Sequence, residues 1–281
     1  MTSFSAHLHD GSTIKVSSTG DGPALLLPVR STPQEDGTAE TMRLWGADPD
    51  LGPNLIAGLS SSHRVISADY EAHRMAHPAP DTLTPETVSA DLLAIADAAG
   101  AGTFGYYGYS WLAMSGLQLA LRTDRLWALV MGGYPPVDGP YAAMLAVTRA
   151  AHRASLRPAA NPETPAEPGD WSSTQISTSA DQTQQFLTLY EYLAAFDNTD
   201  VPSLSVPRFC FAGSADRIEY GPDWGDTVVE IAEPLRCRSE DLSGAGWQIE
   251  LIEGLDHLSA MHSSVVLPLL TERLAAVKPP A

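Results

Sequence analysis

Phe104-Gly105-Tyr106-Tyr107-Gly108-Tyr109-Ser110-Trp111 is the stretch on which the reading of this chain turns. Thr103 to Tyr107 reads as a buried strand, and Leu112 to Arg122 continues as an apolar helix. A serine between them sits at a strand-to-helix turn, where the sharp backbone bend lifts its oxygen off the carboxyl edge of a sheet. Gly108 suits such a turn, which leaves little room beside the serine. The pattern is G-x-S without a second glycine two places on, because Leu112 stands there. A serine that merely caps the helix is the plain alternative.

Working outward, strands and helices alternate. Asp10-Gly11 separates two short strands, Leu25-Leu26-Leu27 and Val65-Ile66-Ser67-Ala68 read as buried strands, and Thr84-Pro85-Glu86 opens a helix to Ala99. Ala128 to Met131, Arg208 to Ala212 and Gln248 to Ile252 are further strands, with helices near Asp226 to Leu235 and from Val265 to Val277. Between about 137 and 205 the alternation lapses into helix candidates at Tyr141 to Ser155 and Ala180 to Phe196, joined by a Pro-rich loop from Arg157 to Pro168. The pattern predicts an α/β fold: a doubly wound, mostly parallel sheet of about eight strands, with core segments 1–136 and 206–281 and a helical cap over 137–205.

A serine hydroxyl needs a base to take its proton, and the base needs an acid to orient it. Asp216, in Gly213-Ser214-Ala215-Asp216, and His257, in Gly254-Leu255-Asp256-His257, each follow a predicted strand and so return to the edge that carries Ser110. The plain alternatives are a turn-capping Asp216 and a surface His257 beside Asp256. With Ser110, these segments and Arg64 to Tyr70, the whole chain resembles the α/β-hydrolase fold superfamily. The resemblance implies nucleophile, acid and base roles for Ser110, Asp216 and His257, and an ester- or lactone-cleaving serine hydrolase without cofactor. C–C bond cleavage, acyl transfer and a non-catalytic ligand-binding member are the rivals.

An oxyanion hole requires two backbone N–H groups, one after the nucleophile and one from the loop after the third strand. Trp111 is the first candidate. Pro28 has no N–H, so the second falls to Val29 or Arg30. The Arg30 side chain is expected to pair with Glu35 or Asp36, the alternative being a grip on a substrate carboxylate. Tyr109, Tyr134 and Tyr190, among aromatics that include Trp111 and Phe186, are the candidate substrate-binding residues for an apolar or aromatic small molecule.

Composition closes off other classes. Hydrophobic residues make up 44% and charged residues 18% of 281, a globular balance. Sixteen Lys plus Arg against 34 Asp plus Glu leave a net charge of −18, which argues against nucleic acid and anionic membrane as partners. His7, His9, His63, His73 and His77 show no metal-ligand spacing, and Gly102, Gly105 and Gly108 do not make a dinucleotide turn. No metal or cofactor is therefore expected. Two cysteines, no basic-then-apolar N-terminus and no membrane-length apolar window point to a cytoplasmic protein, with a homodimer kept as an expectation.

Overall fold

The computed structural model describes residues 1–157, 170, 178–196 and 198–279; most of the Pro-rich loop lies outside them. The hairpin at Asp10-Gly11 forms between β1 (Thr2–His7) and β2 (Thr13–Thr19). Then follow β3 (Ala24–Leu27), β4 (Arg64–Ser67), β5 (Phe104–Tyr109), β6 (Leu126–Gly132), β7 (Arg208–Gly213), the short β8 (Arg217–Glu219) and β9 (Val228–Glu230), and β10 (Trp247–Ile252). Eight of these strands form one sheet in the order β1-β2-β4-β3-β5-β6-β7-β10. Only the β1–β2 and β2–β4 pairs are antiparallel; from β4 across to β10 every pair is parallel.

Parallel neighbours need crossovers, and helices supply them on both faces. Alternate strand residues point to opposite sides. Leu26, Tyr106, Leu129, Met131 and Cys210 join the core under α4 (Pro85–Ala98), α5 (Trp111–Ala120) and α8 (Ala232–Gly244). Leu25, Leu27, Tyr107, Val130, Phe209 and Phe211 join the core under α2 (Leu51–Leu59) and α9 (Ser263–Ala275). Leu25, Leu26 and Leu27 are fully buried, each burial being worth about 2 kcal/mol. The Thr84 start is a full capping box, with the side chains of Thr84 and Thr87 each accepting from the other's backbone N–H.

Three helices carry little sequence signal: α1 (Asp36–Leu44), α2 and α3 (Tyr70–Ala76). Each is short, and α2 contains Gly52-Pro53. Proline is tolerated there because first-turn amides have no intrahelical acceptor. One expected element is corrected. Instead of a helix from Asp226, the chain forms the β8–β9 ribbon, and α8 begins only at Ala232. The β-branched Val229 and Ile218 are buried from the two strands, and Arg217 pairs with Glu230 across them at 2.7 Å, contacts that local spacing does not reveal. The helices α6 (Tyr141–Ser155) and α7 (Ala180–Leu193) separate β6 from β7 in sequence and pack on each other.

Candidate active site

Ser110 joins β5 to α5 with φ 56° and ψ −129°, a conformation that L-residues avoid. Such strain costs about 1–3 kcal/mol and persists only where the surroundings over-determine it. Here the Ser110 N–H donates to the Gly132 carbonyl of β6 at 2.8 Å. The hydroxyl makes no capping hydrogen bond to the helix, which removes the plain reading of this serine. A Cβ on Gly108 would lie 2.4 Å from the Leu112 carbonyl oxygen, so only glycine lets the strand pass beneath the first turn. Leu112 occupies the expected glycine position without clash: its carbonyl instead accepts from the Tyr106 hydroxyl at 2.8 Å, tying strand to helix.

That crossing yields a first prediction. Gly108→Ala should force the first turn of α5 away from β5 and destabilise the protein by about 1–3 kcal/mol or more, as overpacking does. A chemical-denaturation midpoint equal to that of the wild type would refute the close approach.

The loops after β7 and β10 bring Asp216 and His257 together. His257 Nδ1 lies 3.0 and 2.9 Å from the two Asp216 carboxylate oxygens. The loops themselves are laced by Ser214 N–H to Ile252 O at 2.8 Å and Ala215 N–H to Leu255 O at 3.0 Å. Asp216 is fully buried, and that burial raises its carboxyl above the ordinary range, while the His257 hydrogen bond opposes the rise. Asp256 does not hold the histidine: its carboxylate accepts from Ser259 N–H at 2.8 Å. Tyr109 lies under the histidine, ring centroids 5.2 Å apart, and its hydroxyl donates to the His257 carbonyl at 2.8 Å. This expected substrate-binding residue thus has its polar group committed to the histidine loop.

The two oxyanion candidates after β3 separate clearly. The Val29 N–H is committed to the Leu27 carbonyl at 2.8 Å, a tight turn forced where Pro28 follows the strand, so Val29 is corrected as a donor and Arg30 remains. On the other side, the first closed turn of α5 has Ala113 and Met114 donating to Ser110 O. The Trp111 amide precedes it, at the positive end of the helix dipole. Arg30 is also corrected in its side chain. It forms no ion pair with Glu35 or Asp36; its Nε donates to Thr32 O at 3.1 Å, and the residue lines a cavity.

Two cavities meet at this point. An outer one of about 520 Å³ runs between Arg30, Gln34, Met42 and Met261; an inner one of about 340 Å³ lies beneath α6 and α7. Glu71, Ser110, Trp111 and His257 line both. Tyr134 and Tyr190 line the inner cavity, whereas Tyr109 lines the outer one. Glu71 escaped the sequence reading, although the signal was present: Asp69-Tyr70-Glu71 follows β4 at the same carboxyl edge.

No family model matches the chain, and no curated protein sequence does. Solved structures do. An esterase from Thermogutta terrifontis superposes with TM-score 0.58 at 19% identity, covering 98% of this chain and 97% of that one. A hydrolase from Pseudomonas aeruginosa gives TM-score 0.63 at 16% identity over 98% and 99% of the chains. Epoxide Hydrolase A from Mycobacterium thermoresistibile gives 0.58 at 17% identity over 99% of both. The chain has the α/β-hydrolase fold. No described helix is long and apolar enough to cross a membrane.

Proposed function

We propose that this protein is a serine hydrolase that cleaves a carboxylic ester or lactone of a small, largely apolar or aromatic substrate. One observation carries the reading: His257, held bidentately by the buried Asp216, lines the same two cavities as a serine at positive φ. His257 takes the Ser110 proton as the oxygen attacks the carbonyl, and the amides of Trp111 and Arg30 stabilise the oxyanion. His257 then protonates the leaving alcohol. Water, deprotonated by His257, releases the acid from the acyl-enzyme and returns the proton to Ser110. Asp216 keeps the imidazole in the productive tautomer and stabilises its cation. The helices α6 and α7 act as the cap, excluding water from the inner cavity so that these interactions gain strength.

Similarity of fold to esterases and other hydrolases supports the class but not the bond, since one fold hosts many chemistries. A fluorophosphonate probe tests the reading directly. The wild type should be labelled on the peptide that carries Ser110, and Ser110→Ala should take no label. A folded wild type that remains unlabelled would overturn the proposal.

A further inference from the structure

The inner cavity is walled by Trp111, Tyr134, Phe186, Tyr190, Tyr220 and Trp224, and among its described lining residues there is no lysine or arginine. Among those described residues Glu71 supplies the only carboxylate, and it lines both cavities where they meet, together with Ser110 and His257. Glu71 is exposed. Crowding by neighbouring protein raises its carboxyl above the ordinary range; the Trp111 indole opposes the rise and Asp69 adds to it. No ion pair involves Glu71 among the described residues.

Its backbone is fixed on both sides. Asp69 caps α3 by accepting from Ala72 N–H at 3.3 Å, the buried Tyr70 donates to Asp91 at 2.7 Å, and the fully buried Arg74 lies one turn on. The carboxylate is therefore presented to the cavity from a rigid helix turn. Around it the rings offer π faces: Phe186 stands edge-on to Trp111 at 5.3 Å, and Tyr220 and Trp224 are 5.5 Å apart. An apolar aromatic chamber with one anionic wall is the chemistry that holds an ammonium group, by charge pairing on one side and cation–π contact on the other. A net charge of −18 steers cations toward it.

We infer that Glu71 and the aromatic wall of the inner cavity form an ammonium-binding subsite, and that the ester cleaved at Ser110 carries a protonated amine. The inference rests on the hydrolase reading for what becomes of the ligand, but not for what is bound.

The test is calorimetric binding of benzylamine and its neutral isostere benzyl alcohol to the full chain at neutral pH, where the amine is protonated. Wild type should bind benzylammonium at least about tenfold more tightly than the alcohol, and Glu71→Gln should shrink that preference to about threefold or less. Phe186→Leu, which removes a ring of the aromatic wall beside Trp111, should weaken benzylammonium more than benzyl alcohol, which keeps the inference falsifiable if the Gln variant does not fold. A wild type without preference overturns the subsite even if Ser110 reacts with fluorophosphonate. So does a preference that survives Glu71→Gln, or equal weakening of both ligands by Phe186→Leu. Preference found and then lost in the variant supports the subsite even if no ester is turned over, in which case only the hydrolase reading falls.

Discussion

Asp216→Asn is expected to lower kcat for a short-chain nitrophenyl ester by about 10⁴. The substitution preserves shape, so the loop after β7, laced to the His257 loop by backbone hydrogen bonds, keeps its course. What changes is the hydrogen-bond code. Asp216 offers two acceptors to Nδ1 at 3.0 and 2.9 Å, which demands that Nδ1 carry the proton and leaves Nε2 free to act as base. An asparagine can satisfy the same nitrogen with its NH₂, favouring the tautomer protonated on Nε2, which cannot accept from Ser110. The buried site also loses the negative charge that stabilises the imidazolium. Tyr109 still holds the His257 carbonyl, so the ring stays in place and the defect should fall on kcat rather than KM. A variant within about tenfold of wild type would remove Asp216 from the orienting role.

Asp10→Asn, far from the chemistry, should destabilise the protein by about 3 kcal/mol. Arg74 is fully buried on α3, and Asp10 at the β1–β2 turn pairs with it at 3.0 Å. Ser12 accepts from Arg74 Nη2 at 2.8 Å, and the Asp10 carboxylate accepts from the Ser12 hydroxyl at 2.6 Å. An asparagine leaves the guanidinium buried without that counter-charge. Burial alone would raise the Asp10 carboxyl, but hydrogen bonds from Ser12 and Arg74 outweigh it and hold it far below the ordinary range. The folded protein therefore binds this proton less readily than the unfolded chain does. The stabilisation is present above the unfolded carboxylate pKa of about 3.9 and is lost as pH falls below it toward the folded value. Asp48, lowered by Ser263, adds to the same acid-side loss. Urea midpoints measured from neutral pH downward should drop below about pH 4 in the wild type and drop less in Asp10→Asn. A variant as stable as wild type at neutral pH would show that Arg74 does not depend on this pair.

The same contacts explain how far the sequence could be read. The strands with continuous apolar runs, the long capped helix after Thr84 and the Ser110 turn were legible because their signals are local: periodicity, a cap, a small residue before a serine. The order Ser110, Asp216, His257 was legible because each follows a strand, and parallel strands deliver all three to one edge. The short helices and the β8–β9 ribbon were not, since short segments take their conformation from packing rather than propensity.

The sequence by itself determined the alternation of strand and helix, and with it the edge at which the reactive residues gather. The tertiary structure alone decided which partner each polar group takes. It committed the Val29 amide to Leu27, the Tyr109 hydroxyl to the His257 loop and Arg74 to Asp10, and it left Glu71 facing an aromatic cavity. The reason is geometric: hydrogen bonds and ion pairs depend on ångström-scale approach between segments as distant in sequence as Tyr109 and His257. Composition and spacing carry no record of that approach.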